Sequence, residues 1–108
     1  MKQIAFLGDS LKRIQAFPES ARRSAGYQFE RVQRGLEPDD WKPMKAVGEG
    51  VREIRVRDVS GAYRVIYITS FRDAVYVLHA FGKKSQRTAA LDIKLAATRL
   101  KELKRRQR

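Results

Sequence analysis

The sequence predicts an α+β domain: a small antiparallel sheet of about four strands, an N-terminal helical hairpin packed on it, and a basic C-terminal helix. Three observations carry this. Apolar residues recur at helical spacing in two early segments and one late one. Between them lie three runs of strand-like alternation or continuous apolar character, separated by turn signals. The 108 residues carry 24 Lys+Arg against 12 Asp+Glu, a formal charge of +12, interleaved with 43% hydrophobic residues. That mixture builds a core and suits one domain over 1–108.

In chain order, KQIAFL at 2–7 reads as a first strand ended by Gly8. Asp9 or Ser10 can cap a short helix, in which Leu11, Ile14 and Phe17 recur every three residues. Pro18 ends that helix and suits the first turn of the next, where its missing N–H is no loss. From Glu19 to about Arg34, the positions Ala21, Ala25, Phe29, Val32 and Leu36 form one apolar stripe, with Arg22, Arg23, Arg31 and Arg34 facing outward. Gly35 to Gly50 contains Pro38 and Pro43 and reads as a loop around Trp41.

Residues 51–57 alternate, with Ile54 and Val56 on one face and Glu53, Arg55 and Arg57 on the other. Asp58 to Gly61 is a hairpin turn by composition, and Tyr63 to Thr69 is apolar apart from Arg64, as a central strand would be. A turn near Ser70 to Asp73 leads to a third run, Ala74 to Phe81, which Gly82 breaks. Thr88 can cap a final helix with Ile93, Ala96, Ala97, Leu100 and Leu103 on its buried side. The three later strands should form a meander with the first strand added at an edge and two helices packed on one face.

The charge is uneven: residues 83–108 hold ten Lys/Arg and two Asp/Glu. Such a tail points to a polyanionic partner, nucleic acid or an acidic protein. Cysteine is absent, which removes disulfides and thiolate sites, and the single histidine, His79, argues against a zinc site. The opening MKQIAFLGDS has only four consecutive apolar residues, too few for a signal peptide, and no run is long enough to span a bilayer. A cytoplasmic protein without cofactor, metal or membrane partner is expected.

The order EIRVR, then GAYRVIYI, then VLHAFGKKSQRT resembles the RelE/ParE superfamily of toxins from toxin–antitoxin modules, most closely its phage-derived, HigB-like branch. The resemblance covers almost the whole chain. It implies a toxin that cuts mRNA on the ribosome without a metal, held in check by a cognate antitoxin of helix-turn-helix type. Such cleavage drives the 2′-hydroxyl onto the neighbouring phosphate, and needs a base, an acid and positive charge for the phosphorane.

On that resemblance Arg55 and Arg57 match the family's strand cations, Arg64 its strand arginine, and Lys83 with Lys84 its basic pair. Arg64 is then expected to grip the scissile phosphate. Lys84, or after it Lys83, would act as acid or base if Arg55, Arg57 and Arg64 lower its pKa. Arg52, Arg87 and Lys94 extend the RNA-binding surface through phosphate contacts.

Each residue also has an ordinary structural reading. Arg64 can pair with Glu53 across the hairpin, Arg55 and Arg57 can line a solvated sheet face, and Lys83 and Lys84 can be loop lysines. Glu53 is a candidate carboxylate base or an ion-pair partner, and His79 a catalytic group or a packed strand residue. Tyr63 is a base-stacking or a core residue. Residues 85–90, SQRTAA, lack the terminal tyrosine or histidine that several family nucleases carry, leaving Lys and Arg as the evident proton carriers. Two other functions stay open: a ParE-like inhibitor of DNA gyrase, and a basic nucleic-acid-binding domain without catalysis.

Overall fold

The computed structural model describes residues 1–83 and 88–107; Lys84 and Arg87 lie outside the described residues. The elements run β1 (Gln3–Phe6), α1 (Ser10–Gln15), α2 (Glu19–Gln33), β2 (Trp41–Pro43), β3 (Val51–Asp58), β4 (Gly61–Ile68), β5 (Ala74–Lys83) and α3 (Ala90–Arg106). They build one five-stranded sheet in the order β1-β5-β4-β3-β2. The α+β class and the central place of β4 agree with the sequence reading, and β1 joins at an edge, parallel to β5. The sheet has five strands rather than about four, because residues 41–43 pair antiparallel with β3 instead of looping freely.

The sheet is covered on both faces. Ile14, Phe17, Ala21, Ala25, Phe29 and Val32 of the α1–α2 segment close over Ile54, Val56, Val65, Tyr67 and Val77. Ala96, Leu100 and Leu103 of α3 close the other face over Val51, Ile66, Ile68, Tyr76, Leu78 and Phe81. Leu11 and Leu36, counted into the apolar stripes by spacing, are exposed. Leu36 falls beyond the end of α2, where helical periodicity no longer places it.

Two local features set the later geometry. Ile66 pairs with His79 but Tyr67 with Val77, so Leu78 is an extra residue in β5, a β-bulge. The bulge puts Val77 on the α1–α2 face while Leu78 and Phe81 join the α3 face. His79 therefore shares its face with Phe81 and not with Val77, contrary to simple alternation. The second feature is Gly82, which does not break β5: it pairs with Tyr63 and the strand continues to Lys83.

α3 is held by polar contacts as well as apolar ones. Arg99 Nη1 donates to the Leu78 carbonyl at 2.8 Å, and Arg99 Nη2 to Asp9 Oδ1 at 2.7 Å. Asp9 sits at the helix-capping position of α1 but makes no side-chain cap there. With Arg13 and then Arg99 bonded to it, its carboxyl is lowered to about 2. Thr88 likewise does not cap α3; Ala89 occupies that position. Among the described residues no helix is long and apolar enough to cross a membrane.

Candidate functional site

Cross-strand register sorts the cations. Arg55 of β3 lies directly opposite Arg64 of β4, which lies opposite Phe81 of β5. One row further, Arg57 faces Ala62, which faces Lys83. In the row before, Glu53 stands between Lys42 of β2 and Ile66. Strand spacing of roughly 4.8 Å and alternation of faces bring Arg55, Arg57, Arg64, Lys83 and Lys42 onto one end of a single sheet face. It is the face that α3 covers at its other end. Lys42 was not singled out from the sequence, because a three-residue strand ending in proline carries almost no alternation signal.

Arg64 shares its face with Ile66 and Ile68; it is 4% exposed, and its Nε lies 3.4 Å from Oε1 of Glu53, which is fully buried. The ion pair between them is thus present. Burial, more than any neighbour, pushes the Arg64 guanidinium below its usual value, against the pull of Glu53; the group still stays charged. Lys42 Nζ is 3.8 Å from the same Glu53 oxygen, and Thr88 donates its hydroxyl to Oε2 at 2.7 Å. Glu53 thus presents no carboxylate oxygen to solvent.

Lys83 and Arg55 are half-buried and Arg57 is exposed. Desolvation first, then Arg64, push the Lys83 ammonium below the usual lysine range, with Lys42 and Arg55 adding to this and Glu53 opposing it. The Nε atoms of Arg55 and Arg64 are buried without a hydrogen-bond partner among the described residues. The Arg64 Nε faces Glu53 instead, so it is the half-buried Arg55 whose unpaired donor suits an anion with several acceptor oxygens.

Other expected site residues lie elsewhere. Arg52 is on the opposite face of β3, with its guanidinium carbon 4.0 Å from the Trp41 ring centroid, a cation–π contact. Tyr63 also faces away from Arg64: its ring packs on Phe17 at 4.7 Å and its hydroxyl meets Ser60. It is a packing residue, not a base platform beside Arg64. His79 is fully buried, stacked on Phe81, with Nε2 2.7 Å from Asp92 Oδ1 of α3. Burial lowers its pKa despite Asp92, so the ring is neutral near pH 7 and its Nε2–H donates to the carboxylate. That makes His79 a strut between sheet and helix. Lys94 stands exposed on α3. No group of three His, Asp or Glu among the described residues can hold a metal ion.

A family model for the phage-derived Gp49-like proteins (DUF891) matches residues 12–101, which takes in every strand but β1 and most of α3. No curated protein matches the chain.

Proposed function

The chain belongs to the phage-derived Gp49-like family, within the RelE/ParE-like toxin superfamily, and on that premise we propose that it is the toxin of a toxin–antitoxin module that cleaves mRNA on the ribosome. The observation that carries this reading is the convergence of Arg55, Arg57, Arg64 and Lys83 on the open end of one sheet face. In the reaction, Arg55 and Arg57 hold phosphate oxygens and stabilise the phosphorane. Arg64, with its Nε turned to Glu53 and its Nη1 donating to the Tyr63 carbonyl at 3.2 Å, adds positive charge from beneath. Lys83, with a lowered pKa, is the described group best placed to exchange a proton with the 2′- or 5′-oxygen; Lys84 shares that candidacy by sequence. Lys94 and the basic side of α3, with Arg87 by sequence, hold ribosomal RNA backbone. The cognate antitoxin, of helix-turn-helix type, neutralises by covering one of these basic surfaces.

One observation favours a ParE-like gyrase inhibitor: Glu53 and His79, two of the candidate acid–base groups, are both buried. The two readings separate cleanly. The nuclease reading expects cuts in message on translating ribosomes, little cutting of naked RNA, and loss of cutting in the triple variant Arg55→Ala/Arg57→Ala/Lys83→Met. If induction instead stops DNA replication before protein synthesis, and ribosome-bound message stays whole, the gyrase reading replaces it.

A further inference from the structure

Glu53 is a wholly buried carboxylate at the cationic end of the sheet, where the exposed Asp40 also favours the charged form of Arg64 from the approach to β2. Taking a carboxylate out of water is unfavourable unless charge and hydrogen bonds compensate. A solvated basic patch has no need of one. Here the carboxylate faces Lys42 from β2, Arg64 from β4, and Thr88 just ahead of α3. Two residues further along β3, Arg55 stands directly against Arg64, a like-charge pair that is unfavourable across a sheet. Glu53 supplies the opposite charge that lets both arginines occupy one face.

We propose that Glu53 is the positioning residue of this site, holding Arg64 from within the sheet and tying the start of α3 to it through Thr88. The inference rests on the nuclease reading for its consequence in catalysis, but not for its physical content. Glu53 touches no substrate; it acts through the orientation of Arg64 and through the charge felt by Lys83. The groups bearing on Lys83 are Arg64 of β4, Arg55 and Glu53 of β3, and Lys42 of β2, and Glu53 is the member that favours the ammonium form. Neutralising it therefore lowers the Lys83 midpoint further.

The test is Glu53→Gln in the full chain, followed by nuclear magnetic resonance of the lysine Nζ and arginine Nε groups, with Lys83→Arg assigning the Lys83 signal. The expected result is a Lys83 midpoint lower than the parent's, together with solvent exchange of the Arg64 Nε–H faster by about tenfold as the ion pair is lost. A labelled single-stranded RNA should bind the variant as tightly as the parent or more so, since a negative charge has gone. Cleavage on ribosomes should fall by at least about tenfold, with its pH profile moved to lower pH. If Glu53→Gln does not fold, Glu53→Asp keeps the charge one methylene short. It should hold the Lys83 midpoint and still quicken Arg64 exchange.

In whichever variant folds, failure of any of these side-chain changes overturns the positioning role. If they occur but neither parent nor variant binds RNA or cuts message, the role stands and the nuclease reading falls.

Discussion

Arg64→Ala is the substitution a catalytic reading would reach for first, and the structure says it removes more than a phosphate contact. Arg64 and Glu53 have 5% and 0% of their side chains exposed and lie 3.4 Å apart. Removing one member of a buried pair leaves the other charge uncompensated, at a cost of roughly 3–5 kcal/mol. Glu53 keeps the Thr88 hydroxyl and the more distant Lys42, so the lower part of that range applies, about 3–4 kcal/mol. Against a total stability of about 5–15 kcal/mol for a domain, this is a large fraction. Urea unfolding followed by Trp41 fluorescence and circular dichroism measures it. The double variant Arg64→Ala/Glu53→Gln should recover about 1–3 kcal/mol relative to additivity. Strict additivity, or a single-variant cost under about 0.5 kcal/mol, would show that the pair is not coupled and sink the argument. Loss of toxicity in Arg64→Ala is thus no evidence of catalysis by itself. Arg64→Lys is the sharper probe, since it retains charge but loses the planar fork.

Three further outcomes follow from the same geometry. Because burial lowers the folded-state pKa of His79, the unfolded chain binds a proton near pH 6.5 while the folded one does not. The resulting stability is complete above that pH and is lost as pH falls through the folded value, at up to about 1.4 kcal/mol per pH unit. Urea midpoints between pH 7.5 and 5.5 should fall in the parent and stay flat in His79→Phe; a parent that gains stability on acidification contradicts this. Asp9, lowered to about 2 and 43% exposed, contributes modestly, under about 1 kcal/mol. That contribution is present above pH 3.8 and lost as pH falls towards 2, so Asp9→Asn should flatten the melting temperature across that window. Leu100, 3% exposed, lies so close to Gly48 that a Cβ there would sit 2.5 Å from its Cδ2. Leu100→Ala should cost about 2–5 kcal/mol in the same urea assay, and a cost below 1 would mean that α3 is not packed on that loop.

What the sequence disclosed and what it hid divide along physical lines. Strict alternation in 51–57 placed Glu53, Arg55 and Arg57 on one face and Ile54 and Val56 on the other, since one face is buried and register is then strongly specified. The stripes of α2 and α3 were legible for the same reason. A bulge is a single unpaired residue and leaves no compositional trace, so the true neighbours of His79 could not be read from parity. The opposite placement of Tyr63 and Arg64 was readable, because adjacent strand residues point to opposite faces, and it tells against a stacking role beside Arg64. Burial of Arg64 with Glu53 was not, because the other partners of Glu53, Lys42 and Thr88, come from a weak strand and from the approach to a helix. Helix-capping statistics assigned Thr88 to the local backbone, but a buried carboxylate thirty-five residues away holds its hydroxyl instead.

The extent of the open site follows from where α3 begins. At its far end the helix is tied down by Gln107, which donates to the Tyr76 hydroxyl, and in its middle by Arg99, which takes the carbonyl that the bulge at Leu78 turns away from β4. At its near end Asp92 of the first turn accepts from His79, and Thr88 just before the helix reaches Glu53. His79 and Glu53 lie in the same row across the sheet, both on partners of Ile66. The described helix begins near that row; of the next two rows, Arg64 is buried, Arg55 and Lys83 are half-buried and Arg57 is exposed. A start one turn earlier would advance the helix by about 5.4 Å, close to the spacing between rows, and bring its first turn over Arg64. Two buried groups, His79 and Glu53, therefore fix where the described part of α3 meets the sheet.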